Sequence, residues 1–222
     1  DIATGDVDGD GYDDLVAAAP GEGNGRIYIN YGPLRDVYLG VDYDAAFIGD
    51  SNDVSATTGL GLGLQVELVD LNGDDQKDIV ASAGGSNDLG VIYIRYSPEN
   101  VRYSGDYTMS TEADATISGN ETSTTVGCRL SSAGDLNDDR LEDLLISTCT
   151  DRTDTSGFAV ALYGQETNLL AGDYSISNST GLTEGNGAVA IEYTGVFEGS
   201  GSIDTAGLQD QFGSYLGSFG DL

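Results

Sequence analysis

The chain has 222 residues, enough to bury a full core, and carries 38 acidic side chains against 8 basic ones with no histidine, a formal charge of −30. A field of that sign repels nucleic-acid backbones and excludes them as partners. The missing histidine excludes Ser-His-Asp and Cys-His catalysis, and no apolar run approaches the roughly 18–20 residues of a membrane span, so membrane insertion is not expected.

The first element is an acidic loop with oxygen side chains at its positions 1, 3, 5 and 9, namely Asp6, Asp8, Asp10 and Asp14. A small-residue strand follows over Leu15–Pro20, then a Gly-rich turn, then a strand over Gly25–Gly32. The order repeats. A second loop carries Asp70, Asn72, Asp74 and Asp78, with strands over Ile79–Gly84 and Gly90–Ser97. A third carries Asp135, Asn137, Asp139 and Asp143, with strands over Leu144–Thr148 and Gly157–Gly164. A fourth segment bears a Gly-Asp-Tyr signature at Gly105–Tyr107 and Gly172–Tyr174, with a looser copy at Gly40–Tyr43. About four short strands per repeat of roughly 64 residues, without helical periodicity, predict an all-β fold. The near-continuous apolar strands predict sheets buried on both faces. Tyr31, Tyr96 and Tyr163 fall in phase and are expected to pack rather than to form a ligand platform.

Calcium takes six to eight oxygens at about 2.3–2.6 Å in a tolerant geometry. Alternate carboxylates curl inward round such an ion, and the carbonyls of Tyr12, Gln76 and Leu141 at position 7 complete the expected shells. The alternative is that Asp, Asn and Gly only mark turns; three copies in one phase favour the metal. Position 6 ranks the loops first, second and third, because Gly11 suits a sharp turn, Asp75 tolerates it and Arg140 does not. The third loop is therefore expected to be weak or empty. Ten carboxylates sit at ligand positions, and three calcium ions would bring the charge to about −24.

Cys128 and Cys149 fall nearly opposite each other across the hairpin centred on the third loop. A disulfide in an oxidising compartment is the expectation, with two buried thiols as the alternative. The sequons at Asn120 and Asn178 are no more than chance supplies. The Gly-rich runs 21–25 and 59–63 lack a following Lys-Ser/Thr and are read as turns.

These repeats resemble the FG-GAP repeats of integrin alpha-chain β-propellers, in which a Phe-Gly strand, a calcium loop and a Gly-Ala-Pro strand recur. Phe212-Gly213 and the stretch Asp6–Pro20 match most literally, with Ala18-Ala19-Pro20 in the Gly-Ala-Pro position. The resemblance implies propeller-like blades of about four antiparallel strands, with repeats near 1–61, 62–125 and 126–211 and the start of another, or a donor strand, at 212–222. The third repeat carries an insert, 175–195, read as an added hairpin rather than as a degenerate blade stripped of its metal loop, because Val196–Gly199 then resumes the pattern of Ala46–Gly49. The chain opens without Met or a signal-like stretch, as a processed or cropped chain would, so secretion is inferred from calcium. Its complementary ends suggest a cut from a longer propeller, or head-to-tail assembly in which 212–222 completes the first blade of a neighbouring copy. The expected function is a non-catalytic, calcium-stabilised adhesion or structural module, extracellular or on a cell surface, whose partners are proteins or copies of itself. A glycan-binding lectin is the alternative. Catalysis is not expected, although a carboxylate pair for glycoside cleavage is left open.

Overall fold

The computed structural model describes residues 1–34, 42–85, 88–119, 124–150, 158–167, 169–177, 181–184 and 194–198. Of the segments singled out in the sequence, Asn120, Asn178, residues 185–193 of the insert and Phe212–Leu222 lie outside the described residues.

Alternating β-branched and aromatic residues, broken by Gly and Asp turns, produce short strands. β1 (Ile2–Gly5), β2 (Asp14–Ala19), β3 (Arg26–Asn30) and β4 (Ala45–Ile48) pair antiparallel in sequence order as the first sheet. β5 (Gln65–Val69), β6 (Asp78–Ala83), β7 (Val91–Arg95) and β9 (Ala115–Gly119) repeat that order in the second. β10 (Thr124–Gly134), β11 (Asp143–Thr150), β12 (Phe158–Leu162) and β15 (Thr194–Glu198) form the third. The chain is all-β apart from one turn of helix, α1 (Met109–Glu112), which buries Met109. Among the described residues the three sheets do not close into a ring.

The sheets stack face to face. Val16, Ile27, Ile29 and Phe47 of the first pack against Val66, Leu68, Ile79 and Tyr93 of the second. The other face of the second sheet places Val80, Ile92, Ile94 and Ile117 against Leu130, Leu144, Ile146 and Val160 of the third. Every residue of β6 is buried, as expected of a strand covered on both faces. Phe47 meets Tyr103 edge-on at 5.2 Å between ring centres and is fully buried, a contribution of about 2–3 kcal/mol. Tyr31 belongs to the first core and Tyr96 packs against the second, so both are packing residues.

Neighbouring sheets meet most closely at a glycine that precedes the third strand. The N–H of Leu62 donates to the carbonyl of Asn24 at 3.0 Å, and the N–H of Val126 donates to that of Leu89 at 2.9 Å. A Cβ on Gly25 would lie 2.1 Å from the Leu62 nitrogen, and one on Gly90 would lie 2.1 Å from the Val126 oxygen. Backbone against backbone leaves no room for a side chain.

The Gly-Asp-Tyr segments correct the expected strand order. They are not the fourth strands of their own repeats. β8 (Gly105–Thr108) lies parallel to β4 on the outer edge of the preceding sheet, with Ala45 opposite Gly105 and Ile48 opposite Thr108. β13 (Gly172–Ser177) lies parallel to β9 in the same way, with Gly172 opposite Ala115. The first two sheets thus gain a fifth, parallel strand from the next repeat. The reason is geometric: the connection after β7 runs back over the first core, where Tyr103 and Met109 bury, before β9 returns to its own sheet.

Residues 185–193, which hold much of the segment read as an added hairpin, lie outside the described residues. β13 and β14 (Gly181–Glu184) pair antiparallel on the edge of the second sheet, and β15 then pairs with β12 as β4 pairs with β3. The cysteine register also shifts. Cys128 falls in a bulge between Val126 and Arg129, and the backbone partner of Cys149 is Thr125. The Cys128 Sγ lies 3.3 Å from the Thr125 carbonyl oxygen, reaching toward that pair. A bridge between the two cysteines therefore stays a proposal.

Candidate metal centres

All three acidic loops are built alike. The carboxylate at position 1 curls each loop by accepting backbone N–H groups ahead of it. Asp6 accepts from Gly9 at 2.7 Å, Asp10 at 3.2 Å and Gly11 at 2.7 Å. Asp70 accepts from Gly73, Asp74 and Asp75 at 2.7, 3.1 and 2.9 Å. Asp135 accepts from Asp139 and Arg140 at 3.0 and 2.7 Å. Position 7 donates its N–H to position 5 each time, from Tyr12 to Asp10, Gln76 to Asp74 and Leu141 to Asp139, all at 2.9 Å.

This curl demands left-handed backbone at two positions rather than one. Position 6 has φ of 85° at Gly11, 66° at Asp75 and 75° at Arg140; position 4 has 75° at Gly9, 72° at Gly73 and 63° at Asp138. Arg140 adopts the geometry its side chain disfavours, at a cost of about 1–2 kcal/mol. The loop hydrogen bonds outweigh that cost, so the third loop keeps its shape.

Position 9 anchors each loop to the end of the third strand. Asp14 accepts from Val7 at 2.9 Å and from Gly32 at 2.7 Å. Asp78 does so from Leu71 and Ser97 at 3.0 and 2.9 Å, and Asp143 from Leu136 and Gly164 at 2.6 and 2.9 Å. All three are fully buried. Burial pushes the Asp14 carboxyl up to about 6, with Asp8 and Asp6 adding to it against the pull of its two N–H donors. Burial pushes Asp78 up to about 7 and raises Asp143.

The loops line one edge of the stack and touch one another. The N–H of Lys77 donates to the Asp6 carbonyl at 2.7 Å, and its Nζ donates to Glu142 Oε1 at 2.6 Å. Glu142 Oε2 in turn accepts the Asp70 N–H at 3.0 Å. Lys77 is thus a tie between loops. Both members of the ion pair are about one-third exposed, so the pair itself is worth about 0.5–1 kcal/mol. Glu142→Ala, which also strands the Asp70 N–H, is expected to cost about 1–2 kcal/mol in urea unfolding, and Glu142→Gln about half that. Equal stability of all three chains would show that the loops are not mechanically joined there.

The first loop fits a hard cation best. Ligand oxygens of Asp6, Asp8 and Asp14 all lie within 4.8 Å of one another. Two oxygens that share an ion at about 2.4 Å can be no farther apart than about 4.8 Å. Among the described residues this is the one such group of three carboxylates. The second and third loops have Asn72 and Asn137 where the first has Asp8, which leaves them one carboxylate fewer. Asp10, the remaining expected ligand of the first loop, is held with Asp8 by the guanidinium of Arg102. Arg102, Glu142 and the left-handed position 4 were missed in the sequence. The Gly at position 4 of two loops was the available sign of the last.

Comparison with known proteins agrees with the geometry. Residues 1–30, which span the first loop and its flanking strands, match the model of the FG-GAP repeat. The chain carries an FG-GAP repeat. It is also 32% identical over 168 residues to the phosphatidylinositol-glycan-specific phospholipase D of Dictyostelium discoideum. That alignment covers 67% of this chain and 17% of the relative, so the chain spans about a sixth of the protein it matches. The repeat in the other two sheets rests on their own strands and loops, in which positions 1, 5, 7 and 9 make the same kinds of hydrogen bond as in the matched region. Among the described residues no helix is long and apolar enough to cross a membrane.

Proposed function

We propose that the chain is a non-catalytic, calcium-stabilised module of an extracellular or cell-surface protein, built as stacked propeller blades that offer an acidic surface to protein partners or to copies of itself. The observation that carries this reading is the buried carboxylate at position 9 of every loop, joined in the first loop by oxygens of Asp6 and Asp8 within 4.8 Å. A buried carboxylate without a counter-ion is costly to ionise; a calcium ion supplies the missing charge without a proton. Asp6, Asp8, Asp10 and Asp14 would hold it in the first loop, with Asp70, Asp74 and Asp78, then Asp135, Asp139 and Asp143, in the others. The activity in the relative's name belongs to a protein of which the alignment covers 17%, and this chain has no histidine to offer as acid or base.

The test is a calorimetric calcium titration between pH 5 and 7.5. A raised carboxyl binds its proton more tightly in the folded chain than in the unfolded one. Without metal, stability therefore falls as pH rises from about 4 through the raised values near 6 and 7. Calcium must expel those protons, so its affinity should climb up to about tenfold per pH unit and level off above about pH 7. Absence of calcium binding, or a flat pH profile, would overturn the reading.

A further inference from the structure

The structure assigns to Arg102 a role that none of the loop residues has: a built-in cation that occupies the first loop and must be displaced from Asp8 and Asp10 when a metal binds there. The inference rests on the calcium reading of the loops and adds to it a competitor specific to one of them.

Three observations converge. The first is the contact itself. The Nε of Arg102 donates to Asp8 Oδ2 and an Nη donates to Asp10 Oδ2, while the Oδ1 atoms of the same two carboxylates accept loop N–H groups, Asp10 to Asp8 and Tyr12 to Asp10. The guanidinium therefore takes the oxygens that the loop backbone leaves over. It lies over the Tyr31 ring at 5.0 Å, and the Tyr31 hydroxyl accepts the N–H of Tyr103 at 2.6 Å. The segment that carries Arg102 is thus pinned to the buried ring beneath it, and the side chain is placed rather than free.

The second is the comparison among loops. In the second loop the amide of Asn72 donates to Asp74 Oδ2 at 3.0 Å, and in the third that of Asn137 donates to Asp139 Oδ2 at 2.9 Å. Positions 3 and 5 are joined there by a donor the loop owns. The first loop has Asp8 at position 3, which cannot donate when ionised, and Arg102 supplies the donor from outside. At the ligand positions, the four carboxylates of the first loop with Arg102 carry the same net charge as the three carboxylates of the second.

The third is where the next repeat stands in the same role. The segment before β13 repeats the segment before β8, with Gly172 for Gly105 and Leu170 partly buried against the second core where Tyr103 is buried in the first. In that alignment Leu169 takes the place of Arg102, and it is exposed and uncharged. The cation belongs to the first loop alone of these two. A metal at that loop and a guanidinium on two of its ligands repel one another and compete for the same oxygens, so the first loop trades calcium affinity for order in the metal-free chain.

The test uses the full chain with Arg102→Gln, Arg102→Lys and Leu169→Arg, titrated with calcium by calorimetry and melted in chelator and in calcium. Arg102→Gln is expected to tighten one class of calcium sites about tenfold and to lower the melting temperature in chelator while leaving it unchanged or higher in calcium. Arg102→Lys keeps the charge and should bind calcium nearly as the wild type does. Leu169→Arg should weaken a different class. If calcium binds the wild type but Arg102→Gln leaves its affinity unchanged or weaker, Arg102 is not a competitor and the assignment is wrong. If the wild type binds no calcium, the metal reading itself fails and takes this one with it, whereas a melting difference in chelator alone would show a counter-ion without competition and would also overturn it.

Discussion

Removing calcium should lower the melting temperature of the chain by about 10–20 °C. At a concentration a hundred times its dissociation constant, a ligand that binds only the folded state adds about 2.7 kcal/mol per site. Two such sites add about 5 kcal/mol, and a chain of this size moves by about 2–4 °C for each kcal/mol. The sign is set by the loops. Each places three or four carboxylates at ligand positions on one short turn, and they repel one another until a cation arrives. The effect should be largest at low salt, where that repulsion is least screened. A scan in chelator against a scan in calcium, at two ionic strengths, checks both statements. An unchanged melting temperature would remove the structural role of the metal, because the loops join the first and second strands of every sheet.

Gly90→Val should destabilise the chain by about 4–5 kcal/mol or more, well beyond an ordinary core substitution. Two costs combine. Gly90 has φ of 77°, a region that a β-branched residue strongly disfavours. Its Cβ would also meet the backbone of Val126 at 2.1 Å and 2.6 Å, where nothing flexible can yield. Gly11→Ala separates the two costs, because Gly11 has φ of 85° but no atom within 4 Å of the added carbon. That change should cost only about 1–2 kcal/mol. Urea unfolding of the two variants in the same buffer reads the difference. Equal losses would mean that the close approach of the second and third sheets does not hold them together.

Much of this was legible in the sequence because the repeat is short and its parts are in phase. The strands β2, β3, β6, β7 and β12 follow directly from small or alternating apolar runs, and burial of β6 on both faces follows from its lack of polar alternation. Asp6, Asp70 and Asp135 marked the loops, and their oxygens accept N–H groups as a curled loop requires. What was not legible depends on contacts between distant parts of the chain. Gly105–Tyr107 reads as one more strand of its repeat, and nothing local says that its partner is β4, whose paired residues lie 60 positions earlier. Arg102 reads as a solvated cation until Asp8 and Asp10 are beside it. The bulge at Cys128 breaks a register that a strict hairpin count from the third loop extends too far. Arg140 shows the opposite failure: local preference argued against a backbone geometry that the loop's hydrogen bonds impose.

The strands that reach back set the boundaries along which such a chain can be divided. A cut after residue 61, where the sequence pattern restarts, would strip β8 from β4 and leave the outer edge of the first sheet bare, an invitation to pair with another chain. The same holds for β9 once β13 is lost. Each of the first two sheets is therefore finished only when part of its successor has been made. On a ribosome, the first sheet would wait for residue 108 before its last strand could dock.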